Sequence, residues 1–340
     1  MQQGLIKKNN LSSLISSILK QNIVFAPVKH SFGIALSEIK SAEEMDFDYL
    51  SLKIPPKGLF FTQKEEIYSY GDVSTKKSPL RNSKTIIFGG SRPCDARALC
   101  HLDSVFFKDI YQDPYYISRR EKTLIISKAC GKPLDTCFCT SFGGSPSGKE
   151  GSDILIFEID DYLFFETCSD SGLDFMKDLS EHFTKPGKAE NKAKNDMIKI
   201  AEKKVIPIVR DNTNEKVSEK LKKIYNTAPW DTLAMRCLGC SICTYFCPTC
   251  HCFAIIDENT SSGGRRSRNW DSCMFPHFFR EASGHNPKMS KGARMKQRIM
   301  HKFNYTVENF GETFCVGCGR CINNCPVNID IREIISEIIK

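Results

Sequence analysis

The sequence predicts an α/β domain over residues 1–225 followed by a smaller, mainly helical domain over residues 226–340. Three observations predict it. Short apolar runs bounded by Gly, Pro or charged residues recur through the first part, as buried strands do. Segments of helical periodicity lie between those runs, and strand–helix alternation favours a mixed or largely parallel sheet. From about Trp230 the texture changes, and eleven of the seventeen cysteines follow it.

In chain order, Met1–Asn22 carries apolar residues at roughly helical spacing, interrupted by serines, with no apolar core or cleavage site of a signal peptide. Strands are predicted at Asn22–Pro27, Lys84–Phe88, Lys122–Ser127 and Asp153–Ile159, with Tyr162–Glu166 returning as a hairpin partner of the last. Asp95–Phe106 and Ser171–Phe183 read as helices. Lys185–Lys204 is lysine-rich and apolar-poor, a solvated helix or a linker. Val217–Tyr225 closes the first domain as a helix. In the second, Lys291–Phe303 and Ile329–Ile339 have helical spacing.

Composition excludes several classes. With 41% hydrophobic and 26% charged residues the chain suits a globular protein. No run of about 18 apolar residues offers a membrane span, and a cytoplasmic location is expected. Lasting disulfides are not expected there, and an odd number of cysteines cannot all pair. Metal binding accounts for them better. The net charge of +8 is concentrated in Lys185–Lys204 and in Gly263–Lys302. The second stretch suits docking on an acidic partner surface, or failing that a plain solvated surface, better than nucleic acid, because no aromatics interleave to stack on bases.

The cysteines carry the strongest signal. Cys237, Cys240, Cys243 and Cys247 stand in RCLGCSICTYFCP, and Cys315, Cys318, Cys321 and Cys325 stand in FCVGCGRCINNCP. Both are C-x2-C-x2-C-x3-C-P. Three cysteines two residues apart let one loop grip three corners of an iron–sulfur cube, while the fourth reaches the neighbouring cube. This predicts one [4Fe–4S] cluster on Cys237, Cys240, Cys243 and Cys325. A second falls on Cys315, Cys318, Cys321 and Cys247. Gly239, Gly317 and Gly319 let the loops tighten, and Pro248 and Pro326 suit the first turn of a helix. Structural zinc favours two separated cysteine pairs; a zinc-stabilised nucleic-acid-binding module is the rival from another class.

The remaining cysteines suggest one or two further sites. Cys94, Cys130, Cys137 and Cys139 follow successive predicted strands, whose C-terminal loops lie near one another in an α/β sheet; they form a candidate third cluster. Cys250, Cys252 and Cys273 form another candidate, with Asp271, a backbone atom or a distant residue as fourth ligand. Packing as small apolar side chains is the alternative for both groups, and Cys100 and Cys168 fit no pattern. His251, between two cysteines, reads as a packed side chain rather than a ligand. Arg236 and Arg320, beside ligand positions, would raise a reduction potential. Gly143–Gly151 (GGSPSGKEG) lacks the spacing of a dinucleotide fingerprint, and no catalytic residue is predicted on this chain.

Across nearly its full length the chain resembles the A subunits of anaerobic sulfite reductases and is similar to the β subunits of archaeal sulfhydrogenases. RCLGCSICTYFCPTCHCF, RRSRNWDSCMF and CVGCGRCINNCP carry the resemblance, together with the Pro-Cys-Asp turn at Cys94 and the C-x6-C-F-C-x-S element at Cys130–Ser141. The double repeat is also shared with helical ferredoxin domains. The resemblance implies a non-catalytic electron-transfer subunit between a flavin subunit that oxidises NAD(P)H and a terminal catalytic subunit. In the sulfite reductases the terminal subunit carries siroheme and reduces sulfite to sulfide, which is the main expectation here. In the sulfhydrogenases it is a nickel–iron hydrogenase, the alternative.

Overall fold

A computed structural model describes residues 2–71, 74–80, 83–108, 112–208 and 214–339. Its first half is a seven-stranded mixed sheet in the order β1-β9-β8-β7-β6-β2-β3. The strands are β1 (Gln3–Lys7), β2 (Ile23–His30), β3 (Gly33–Ile39), β6 (Thr85–Ser91), β7 (Thr123–Lys128), β8 (Ile154–Ile159) and β9 (Tyr162–Thr167). The four central strands β2, β6, β7 and β8 run parallel, and the outer pairings are antiparallel. The predicted runs at residues 22–27, 84–88, 122–127 and 153–159 are these central strands. Every residue of β6 is buried, because helices cover both faces of a parallel sheet. On one face α1 (Leu11–Leu19) sets Leu14, Ile15 and Ile18 against Val24, Ile86 and Ile126. On the other, α2 (Pro93–Phe106) sets Ala96, Leu99 and Leu102 against Ile87 and Ile125.

A short α3 (Pro114–Arg120) lies between β6 and β7, and α4 (Asp170–Asp178) follows β9. Lysine-rich α5 (Lys188–Lys204) is a helix whose Ala193, Met197 and Ile198 pack on Leu155 and Phe157 of the sheet. Its Lys194 is buried and meets Glu166 at 2.7 Å, so that part of the charge run is internal.

The second half is built on α6 (Asn214–Lys223), α7 (Trp230–Ala234), α8 (Ile242–Tyr245), α9 (Lys291–Met300), α10 (Thr306–Phe310), α11 (Arg320–Asn323) and α12 (Ile331–Ile339). Val217, Leu221, Trp230, Met295, Ile299, Phe303 and Ile335 share one core. Between α9 and α10 a π-helical turn spans His301–Tyr305 and buries Lys302, Phe303 and Asn304. Such turns recur at functional sites.

The expectation of a mainly helical second domain needs correcting. Phe253–Thr260 (β10) and Gly263–Trp270 (β11) form a hairpin that extends β4 (Lys64–Gly71) and β5 (Thr75–Lys77) into a four-stranded sheet, β10-β11-β4-β5. The apolar alternation that announces a strand is missing from much of this hairpin. Cross-strand charges substitute for it, Arg266 meeting Asp257 at 2.6 Å and Arg265 pairing with Glu258. Gly263 is obligatory at the turn: its φ is +139°, and a Cβ there would stand 2.2 Å from the Tyr70 carbonyl oxygen. No helix among the described residues is long and apolar enough to cross a membrane.

Candidate iron–sulfur centres

The first repeat leaves α7 through a hydrogen bond from Cys237 N to Ala234 O (2.9 Å). It then turns sharply through Gly239 (φ +70°) and Ser241 (φ +65°), both left-handed. That turn folds Cys237, Cys240 and Cys243 around one recess, and Cys325 enters it from the other repeat, as the crossover reading expects. Cys321 also reaches its wall. The recess holds about 550 Å³ of non-atom space, part of it open to solvent, and is lined mainly by apolar side chains such as Met274, Met295 and Ile299. Two polar groups in the wall are orphaned: the buried Ser241 Oγ and Arg298 Nη1 have no hydrogen-bond partner. An apolar cage with unused donors suits an inorganic cluster whose sulfides accept hydrogen bonds.

The second repeat turns through Gly317 (φ +62°) and Gly319 (φ +71°) before α11. Burial pushes the Cys315 thiol up to about 11 against the pull of Lys302, and the charges of Cys247 and Cys318 add to the rise. Burial likewise raises Cys321, which feels Cys318, Cys315 and Cys247. The structure thus brings Cys247 of the first repeat to the three cysteines of the second. Lys302 Nζ donates to Cys247 Sγ (3.1 Å), Thr249 Oγ1 (3.0 Å) and Phe314 O (3.0 Å). A hydrogen bond from the Cys250 thiol lowers Cys247 well below an ordinary thiol, against burial, and Lys302 and Arg298 lower it further.

Lys57, Arg298 and Lys302 are 2%, 4% and 4% exposed. The largest charge effects on them come from cysteines and other cations, and among the described residues none of the three forms an ion pair with a carboxylate. Three such buried cations are costly unless anions lie beside them. Thiolates bearing a cluster are anions of the required kind. Sequence reading missed this role by treating Arg298 and Lys302 as surface charge. The available signal was their spacing: Arg294, Arg298 and Lys302, four residues apart, share one side of a helix whose Met295, Ile299 and Phe303 are core. Lys57, from the N-terminal half, had no such signal.

The rest of the basic stretch is internal only in part: Arg268 and Arg294 are buried, whereas Arg265, Arg280 and Lys291 are exposed. Arg268 is buried against Glu65 (3.2 Å) and Asp113. Arg294 donates to the carbonyls of Lys288 and Met289. Arg320 is corrected as well: it is 2% exposed and forms a two-pronged ion pair with Asp95 (2.6 and 2.9 Å), so its charge is compensated. Arg236 is exposed.

Cys250, Cys252 and Cys273 lie together beside Cys247. The Cys273 thiol hydrogen-bonds Cys252 and lowers it to about 7, against burial. Asp271, one suggested fourth ligand, turns instead to Ser272 N (2.7 Å). His251 and His301 share a recess with Cys252 and Cys273, and burial lowers both imidazoles to about 4, so they are neutral at pH 7.

In the first half, Cys94 opens α2 after β6, while Cys130, Cys137 and Cys139 follow β7. Cys94 and Cys137 each feel both Cys130 and Cys318, and Cys139 feels Cys130 and Cys137. Cys100 and Cys168 stand apart, the latter bonded to the Glu166 carbonyl. Among the described residues no three His, Cys, Asp or Glu groups gather tightly enough for a single metal ion; the corners of a cube set thiolates farther apart.

Residues 236–329 match the family of 4Fe-4S dicluster domains, so the C-terminal part is an iron–sulfur domain. The chain is also 29% identical over 316 residues to sulfhydrogenase 2 subunit beta of Pyrococcus furiosus, covering 93% of this chain and 92% of that protein. The chain thus joins an N-terminal mixed α/β sheet to a C-terminal 4Fe–4S dicluster domain and, over most of its length, is similar to a β subunit of a sulfhydrogenase.

Proposed function

We propose that this chain relays electrons between a flavin subunit that oxidises NAD(P)H and a nickel–iron catalytic subunit, in a hydrogenase-type complex in the cytoplasm. The likeness to a sulfhydrogenase β subunit supports the hydrogenase alternative over the sulfite reductase expectation. One observation supports the electron-transfer role most: Cys325 of one repeat joins Cys237, Cys240 and Cys243 of the other at a single recess, with Arg298 and Lys302 buried nearby and in no ion pair with a carboxylate among the described residues.

In this reading Cys237, Cys240, Cys243 and Cys325 hold one [4Fe–4S] cluster. Cys315, Cys318, Cys321 and Cys247 hold the other. A bound cluster supplies a one-electron couple; the protein places it, keeps water away and sets its potential. Met274, Met295 and Ile299 exclude solvent from the first centre, Lys302 favours the reduced, more negative state of the second, and Arg298, in the wall of the first recess and close to Cys321, favours that state in both. The Cys250, Cys252 and Cys273 trio is a further three-thiol site in the same reading, next to the second centre. The zinc and nucleic-acid alternative loses part of its support, since Arg268, Arg294, Arg298 and Lys302 of the basic stretch it relied on are buried.

Anaerobic purification with partner subunits tests the proposal. The expected product is brown, with visible absorbance that bleaches on dithionite, at least about eight irons per chain for two cubanes, and nickel in the catalytic partner. Siroheme in the partner in place of nickel restores the sulfite reductase role. A colourless, zinc-loaded chain refutes electron transfer altogether.

A further inference from the structure

The strand-end loops of the N-terminal sheet carry chemistry that the two repeats leave unused. β6 and β7 are neighbouring parallel strands, so their C-terminal loops open side by side, where α/β sheets commonly bind ligands. One loop presents Cys94 in the first turn of α2; the other presents Cys130, Cys137 and Cys139. The second loop is tightly fixed: Cys130 N donates to Pro146 O (2.9 Å), Cys137 N to Leu134 O (2.9 Å) and Phe138 N to Gly317 O (2.8 Å).

Two further observations point to a bound group. The Arg92 guanidinium is 5% exposed and faces Cys130 and Cys94. Its side-chain partners are three neutral carbonyls, of Lys128, Ala129 and Tyr49, and its Nε has no partner. Thr136 Oγ1 and Thr140 Oγ1, one on each side of Cys137 and Cys139, are buried hydroxyls that also lack a partner. A buried cation and two idle donors around four thiols are what a cluster of net negative charge, with sulfides that accept hydrogen bonds, would satisfy. Four packed thiols alone would leave Arg92 Nε and the two threonine hydroxyls without a partner.

We propose that Cys94, Cys130, Cys137 and Cys139 ligate a third [4Fe–4S] cluster, which rests on the iron–sulfur reading above and extends it into the N-terminal half. Binding requires the four thiols to give up their protons as they coordinate iron. The site abuts the second repeat: Cys137 Sγ lies 3.9 Å from Cys318 O, and a Cβ on Gly319 would stand 2.4 Å from Thr136 Oγ1. Electrons can therefore enter or leave the Cys315–Cys321 centre through the α/β sheet, giving the chain a second terminal beside the exposed Cys240 loop.

The test compares the full chain with Cys137→Ser/Cys139→Ser and, as a control on the same helix as Cys94, Cys100→Ser. All are purified anaerobically and examined for iron, acid-labile sulfide and electron paramagnetic resonance after reduction. The double variant should lose about four irons per chain and one spectral component, with the control unchanged. Equal iron and an identical spectrum in the double variant overturn the third cluster while leaving the two-repeat reading intact. Iron-free wild type overturns both. Should the variant fold poorly, stepwise iron chelation of the unaltered chain with thiol alkylation and peptide mapping decides the matter. Labelling of the four cysteines together, in step with iron loss, supports the proposal; labelling independent of iron, or none, overturns it.

Discussion

Replacing Lys302 with Met should lower the reduction potential of the centre containing Cys247 by about 120 mV. The ammonium lies 3.1 Å from Cys247 Sγ, and Lys302 is 4% exposed. Charge added on reduction spreads over the cube beyond that sulfur, roughly 6 Å from Nζ, and at an effective dielectric of about 20 this attraction is about 2.8 kcal/mol. For a one-electron couple about 1.4 kcal/mol corresponds to about 59 mV, so the loss is about 120 mV. Loss of the N–H···S bond acts in the same direction. Met keeps most of the unbranched apolar stem of Lys, one atom shorter, without the charge. Lys302→Arg keeps the charge and should stay within about 30 mV of wild type by the same arithmetic. Potentiometric titration followed by electron paramagnetic resonance reads each centre separately, and the one on Cys237, Cys240, Cys243 and Cys325 should move much less. Full iron content in Lys302→Met with no downward shift would refute the idea that buried cations set this potential.

Asp95→Asn strips the charge partner from Arg320, a pair 1% and 2% exposed. The expected loss is about 3–5 kcal/mol, seen as a fall of several degrees in Tm. Gly317→Ala meets both a φ of +62° and a Cβ 2.5 Å from Cys139 N, so iron measured after purification should drop even though no ligand is altered. Glu166 is buried, which alone would raise its carboxyl, but hydrogen bonds from Lys149 and Lys194 hold it below the ordinary value of 4.5. A depressed carboxyl stabilises the fold above its unfolded pKa, and that stability is lost as pH falls through the folded value. Glu166→Gln should therefore cost about 3 kcal/mol at pH 7, and the gap from wild type should shrink in denaturant titrations below about pH 4.

Much of the fold was legible where one physical signal dominates. The central strands announce themselves because both faces are buried and only apolar residues fit. The outer strand β1, with Gln3 and Lys7 at its exposed ends, is too short to stand out. Edge strand β3 carries polar Ser37 and Glu38 and was missed as well. The β10–β11 hairpin was hidden for the reason its charges reveal: its pairing is electrostatic and its register set by Gly263, so it has no hydrophobic period to detect. Of the candidate centres, the cysteine spacing placed both repeats, because a cube dictates the distance between its ligands. Their counter-charges were not legible, since a lysine such as Lys302 looks the same in sequence whether solvated or buried. Only the packing of the π-helical turn decides it.

That packing also bears on why the α/β half and the cluster-bearing half belong to one chain. Lys57, preceding β4, donates to Cys250 O (2.8 Å) and lies 4.3 Å from the centre of the Trp270 ring. Strands β4 and β5 continue the hairpin that follows Cys252. Asp95 in the first turn of α2 holds Arg320 in the second repeat, and Arg320 Nε reaches back to Leu52 O (2.7 Å). At three separate places, then, the N-terminal half supplies a charge, a strand or a carbonyl that completes the surroundings of cysteines in the other half. An isolated piece spanning residues 226–340 would retain every repeat cysteine, yet lose the Lys57 cation, the partner of Arg320 and half of the second sheet. Such a fragment should take up iron less completely than the full chain and lose it faster in air; equal iron retention would show the N-terminal half to be dispensable for the centres.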